Sequence, residues 1–138
     1  MSRTALSKTQ SPKTFSVGID LVRVNRVKSW LSRRPEKRGR ASRSLAGSRL
    51  SRVLTPRESA KFGRPAALKL ARYLAAKEAF FKASGCAWLG IEGFKQIEVT
   101  AGRKDRFTAR WLKSDRPAGQ GSFFDFDGHA GAQVIIKT

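Results

Sequence analysis

Cysteine is almost missing from this chain: its 138 residues contain one, Cys86. An internal disulfide framework is thereby excluded, and a reducing cytoplasm is the expected setting. Histidine is as rare. His129 stands alone and far from Cys86 in sequence, so the expected role of Cys86 is a buried, inert thiol rather than half of a Cys–His nucleophile. No apolar run is long enough to cross a membrane. Met1–Lys13 lacks the apolar stretch of a secretory signal, and residues 1–14 are expected to form a flexible tail. Zinc-ligand spacings, a Walker loop, a dinucleotide fingerprint and a nucleophile elbow are all absent. Negative charge is the last shortage, with 10 Asp and Glu against 29 Lys and Arg.

The resulting net charge of +19 attracts polyanions: nucleic acid, an acidic protein, a phosphate-rich ligand or an anionic membrane. The excess is uneven. Residues 23–72 hold 16 basic and two acidic residues, which puts the partner surface in the first half. Apolar residues make up 40% of the chain, with nine Phe and three Trp. That suits one domain over 15–138 with a modest core, part of whose apolar surface needs a partner subunit.

Phe15, Val17, Ile19 and Leu21 alternate with smaller or polar residues, the period of a strand. Asp20 falls on the other face, either as a cap for the next helix or as a ligand. Gly18 beside it permits close approach of another group. Val24, Val27, Trp30 and Leu31 have helical spacing, with Arg23, Arg26, Lys28, Arg33 and Arg34 around them. Such a helix is a solvated face or, as we favour, an anion-binding one. Residues 33–52, rich in Arg, Ser and Gly, read as a loop. Thr55–Pro56–Arg57–Glu58 is a capping box with Pro at the first helical position, and that helix ends near Gly63.

The longest helical pattern runs from Pro65 or Ala66 to Ser84, with Gly85 placed to cap it. Glu78 and Lys82 share one face of it, at a spacing that on its own reads as a weak ion pair. Cys86–Gly93, with an exposed Trp88, reads as a loop. Strands are expected at Phe94–Thr100, Phe107–Leu112, around Phe123–Phe126, and at Ala132–Ile136, the last in a central position. The fold class is α+β: one strand, helices, then an antiparallel meander. Asp20 and Glu78, from separate elements, are the kind of pair that holds a hard divalent cation such as Mg²⁺ alongside substrate phosphates. A lysine one turn away would then neutralise a phosphate oxygen.

Val17–Gly18–Ile19–Asp20–Leu21–Val22, with Arg26 six residues after the Asp, resembles the opening motif of the holo-acyl-carrier-protein synthases, the short-chain 4′-phosphopantetheinyl transferases. Leu54–Thr55–Pro56–Arg57–Glu58 resembles their first helix start, and Ala75–Ala76–Lys77–Glu78–Ala79–Phe80–Phe81–Lys82–Ala83, followed by Gly85, their second signature. The strands Phe94–Val99 and Ala132–Ile136 follow in the same order. The resemblance covers about residues 15–138. It implies the phosphopantetheinyl-transferase-like fold, a long core helix packed on a small, mainly antiparallel sheet.

It also implies Mg²⁺-dependent transfer of the 4′-phosphopantetheine arm of coenzyme A to a serine of an acyl carrier protein, with release of adenosine 3′,5′-bisphosphate. Asp20, Glu78 and Lys82 are implied as catalytic residues, Asp20 and Glu78 as the metal ligands. Lys77, Lys82, Gly85 and Arg72 are implied at coenzyme A, and Arg23 and Arg26 at the carrier protein. A cytoplasmic homotrimer serving fatty acid biosynthesis is implied as well. Two positions depart from the pattern: Tyr73–Leu74 stands where an Arg-aromatic pair is usual, with the arginine displaced to Arg72, and Phe124–Asp125 stands where a Ser-His pair is usual. The competing readings are a basic nucleic-acid-binding protein and a weakly active homologue that only binds coenzyme A or a carrier.

Overall fold

The computed structural model describes residues 13–33, 45–64, 66–87 and 90–138. Most of the expected tail, the 34–44 part of the Arg-rich stretch, Pro65 and Trp88 lie outside the described residues.

The elements run β1 (Phe15–Arg23), α1 (Val24–Ser32), α2 (Leu45–Val53), α3 (Pro56–Phe62), α4 (Ala67–Ala83), α5 (Ile91–Phe94), β2 (Ile97–Ala101), β3 (Arg106–Trp111), β4 (Gly119–Phe126) and β5 (His129–Lys137). Local chemistry explains the sharpest boundaries. Thr55 accepts the Glu58 amide on its hydroxyl at 3.2 Å, while Glu58 accepts the Thr55 amide at 2.8 Å; this reciprocal cap starts α3 as the sequence predicts. Gly85, at φ +64°, follows α4 in the left-handed conformation that terminates helices.

Two expectations need correction. The end of the Arg-rich stretch is helix, not loop: α2 buries Leu50 and Val53 against α1, α3 and α4, which repays its ordering. Phe94 ends a short helix rather than starting a strand. The amides of Gly93 and Gln96 bond back to Gly90 and Gly93, and the Phe94 ring goes into the helical cluster. At the chain's start, Thr14 is no free tail: its carbonyl receives the Thr138 amide at 3.0 Å.

The sheet order is β1-β5-β4-β3-β2, antiparallel at every pairing. β2 to β5 form the expected meander, and β5 lies between β1 and β4. Helix α4 crosses one face. Ala75, Ala76, Ala79 and Phe80 are inaccessible to solvent there, packed with Val99, Phe107, Ala109, Ala132 and Val134. Its other side meets α1, α2 and α3 through Leu70 and Ala71. A helix covered on both sides needs apolar residues around most of its circumference, and α4 has them.

Strand β1 turns the obvious assumption over. Its apolar set faces away from α4: Phe15, Val17, Ile19 and Leu21 are 50–61% exposed. Gly18 and Asp20 face inward. A Cβ on Gly18 would lie 1.9 Å from the Ala79 carbonyl oxygen and 2.8 Å from the Ala83 nitrogen. Only glycine lets α4 come that close to the strand backbone.

Candidate active site

That close approach builds the site. Two residues after Gly18, Asp20 is 9% exposed and points under α4. Lys82 Nζ donates to Asp20 Oδ1 at 2.5 Å and to the Ile19 carbonyl at 3.3 Å. Glu78 lies close enough to Asp20 for the two carboxyls to act on each other. The expected Glu78–Lys82 pair is therefore replaced by a three-membered group in which Lys82 turns to Asp20.

Two neighbouring carboxylates disfavour being charged together. Burial and then the charge of Asp20 push the Glu78 carboxyl up to about 7, against the opposing pull of Lys82 and Arg26. Such a pair is oxygen-only and crowded. Among the described residues no group of three or more His, Cys, Asp or Glu stands together. The donor set thus fits a cation that takes one or two carboxylates and fills its remaining positions with substrate oxygens, as Mg²⁺ does.

Asp20 and Glu78 open onto a cleft of about 740 Å³. Its rim carries Arg23, Arg26 and His129; Trp30, Leu74 and Phe94 are among its apolar lining. Asp20, Glu78, Lys82, Arg23 and Arg26, five positions singled out in the sequence, thus converge.

The other three do not join them. Lys77 cannot reach a coenzyme: its side chain is 0% exposed, and its ammonium donates to Glu58 Oε2 (2.7 Å), the Val53 carbonyl (2.7 Å) and the Phe94 carbonyl (2.8 Å). One residue along a helix is a rotation of about 100°, which carries Lys77 into the core when Glu78 faces the cleft. Arg72 is committed to Asp125, donating through Nε at 3.0 Å and a terminal nitrogen at 2.5 Å, with Asp105 3.6 Å away. The hydrogen bond to Asp125 above all holds the Arg72 guanidinium above its ordinary value. The two departures from the family pattern are therefore partners, and the negative charge of Asp125 is answered within the chain. Gly85 lines a separate pocket of about 410 Å³ beyond the C-terminus of α4, with Ser16, Cys86 and Arg116. Cys86 is half-buried there, its Sγ against the Arg116 guanidinium, which corrects the buried thiol.

Sequence reasoning missed His129. Asp127–Gly128 forms a two-residue turn, φ 45° and 70°, the Asp-Gly signal for a tight hairpin. The turn places His129 opposite Arg23 in the β1–β5 register. The Gly128 carbonyl accepts the Val24 amide at 3.0 Å, and His129 Nδ1 donates to the Asp127 carbonyl at 2.8 Å.

A family model described as the 4′-phosphopantetheinyl transferase superfamily matches residues 16–131. A curated holo-[acyl-carrier-protein] synthase from Geobacillus kaustophilus is 36% identical over 89 residues, covering 62% of this chain and 60% of the relative. The chain thus spans less than two thirds of that relative's length. The holo-[acyl-carrier-protein] synthase of Helicobacter pylori, solved with coenzyme A, has the same fold, with a TM-score of 0.66, 20% identity and coverage of 88% of this chain and 99% of that one. The Bacillus anthracis synthase, solved with CoA (3′,5′-ADP), matches with a TM-score of 0.61 at 25% identity over 89% and 96% of the two chains.

Proposed function

From the premise that this chain belongs to the 4′-phosphopantetheinyl transferase superfamily, we propose that it is a holo-acyl-carrier-protein synthase. It moves the phosphopantetheine arm of coenzyme A onto a serine of an acyl carrier protein. The observation that carries this reading is the Asp20–Glu78 carboxylate pair beside Lys82 at the mouth of the cleft. The resemblance of the same three residues to the family signatures, and the relatives solved with coenzyme A, support it.

Asp20 and Glu78 would hold Mg²⁺, which supplies charge neutralisation at the pyrophosphate. The Lys82 side chain is 56% exposed, which leaves its ammonium free to meet the oxygens of a phosphate bound beside Asp20. The serine oxygen forms a bond to phosphorus, the bond to the bridging pyrophosphate oxygen breaks, and the serine proton would pass to a carboxylate of the site. Adenosine 3′,5′-bisphosphate leaves. Arg23 and Arg26 at the rim are suited to an acidic carrier, since surface cations speed the encounter with an oppositely charged partner.

The exposed apolar face of β1, extended by Ile135 at 50% exposure on β5, favours burial against neighbouring subunits in a homotrimer. The setting is the cytoplasm, where carriers of fatty acid biosynthesis are armed.

Incubation with apo acyl carrier proteins, coenzyme A and Mg²⁺ tests the reading. A mass gain of one phosphopantetheine arm on the carrier is expected. No gain on any carrier overturns it, and salt-sensitive DNA binding in its place would point to the nucleic-acid reading.

A further inference from the structure

The Lys77–Glu58 pair lies outside the reacting groups, yet it is built with more bonds than any of them. An ammonium has three donors, and Lys77 spends all three, on Val53 O, Phe94 O and Glu58 Oε2. Glu58 in turn accepts the Thr55 amide on Oε2 and the Val99 amide on Oε1 at 2.6 Å. One ion pair therefore ties the end of α2, the start of α3, the middle of α4, the end of α5 and strand β2.

Two of those anchors are walls of the cleft. Val53 and Phe94, whose carbonyls Lys77 holds, line it together with Leu74 and Glu78. Lys77 is also the residue before Glu78, so the azimuth of one along α4 sets the azimuth of the other. A buried pair of this kind is seldom more stabilising than apolar residues of the same volume. Its place beside the cleft points to a role other than stability.

We propose that Lys77 and Glu58 are positioning residues: their buried pair holds the Glu78 carboxylate and the Val53–Phe94 wall in register, and so sets the cation affinity of the site. The proposal rests on the reading of Asp20 and Glu78 as cation ligands.

The test compares wild type with the Glu58→Leu/Lys77→Met double variant, which removes both charges and leaves no buried ion unpaired. Mn²⁺ binding in the presence of coenzyme A is titrated by calorimetry, alongside urea unfolding and the Mg²⁺ dependence of transfer. The expected result is a folded protein whose Mn²⁺ Kd and half-saturating Mg²⁺ both rise about 10–100-fold, the range for groups that orient metal ligands. A folded double variant with unchanged Mn²⁺ Kd overturns the proposal. Should the double variant not fold, Glu58→Gln and Lys77→Arg are titrated in the same way, and unchanged Mn²⁺ affinity in both overturns it. A wild-type protein that transfers no arm would sink the proposed function while leaving the Mn²⁺ titration to judge the pair.

Discussion

Helix α4 carries two lysine–carboxylate pairs five residues apart. At Lys77–Glu58 the side chains are 0% and 2% exposed; at Lys82–Asp20 they are 56% and 9% exposed. In the dry pair every Lys77 donor is spent on the protein, and no capacity is left for a ligand. In the wet pair the ammonium remains open to solvent and its carboxylate has a second carboxyl, Glu78, beside it. The same residue types thus serve as fastening in one place and, in the function proposed, as reactive equipment in the other. Exposure and the number of unmet bonds make the difference, not the chemistry of lysine and carboxylate.

The largest effect should come from breaking the dry pair on one side. Lys77→Met leaves Glu58 buried and unpaired, so unfolding in urea should show a loss of about 3–5 kcal/mol. A loss below about 1 kcal/mol would mean that the two pairs do not differ as described.

Breaking the wet pair should cost activity and not stability. Asp20→Asn or Glu78→Gln removes cation charge stabilisation worth several kcal/mol, so transfer measured by carrier mass gain should fall about a hundred-fold or more. The thermal midpoint should hold or rise, because the two carboxylates no longer crowd each other.

Gly18 separates the two regions' causes. Gly18→Ala pushes a methyl group against the Ala79 carbonyl, and overpacking of this kind costs about 1–3 kcal/mol. Half-saturating Mg²⁺ should rise along with the lost stability, whereas a substitution on the far face of β1 should leave it alone.

The wet pair also predicts a pH dependence. With Glu78 at about 7 in the folded protein against an ordinary 4.5, the folded state binds more protons than the unfolded one between those values. Stability of the metal-free protein should therefore decline as pH rises from about 4.5 to 7. Melting curves in chelator should show that decline, and Mg²⁺ or Glu78→Gln should flatten it. The smallest effect belongs to Arg72–Asp125, whose side chains are 28% and 42% exposed; Arg72→Ala should cost no more than about 1 kcal/mol.

The legible parts of this chain were those where the cause is local. The capping box of α3, the span of α4, Gly85 as its terminator and the hairpin of β2 and β3 all follow from residues within a few positions of one another. So did the spacing that put Glu78 and Lys82 on one helical face. Less legible were α2 and α5, short helices held by burial rather than by propensity, and His129, whose place depends on a strand far away in sequence.

By itself the sequence determined periodicities: which residues share a face of β1, which share a face of α4, and where α3 and α4 start and stop. It also determined the cation excess and the motif order. Tertiary structure decided which face went where. Period two says that Phe15, Val17, Ile19 and Leu21 lie together, and hydrophobicity alone would send them inward. The contact of α4 with Gly18 sends them outward and brings Asp20 in, because the helix backbone can approach a strand that closely only where no Cβ intervenes. The packing of α4 against that strand and the helices behind it also sets the rotation that separates Lys77 in the core from Glu78 in the cleft.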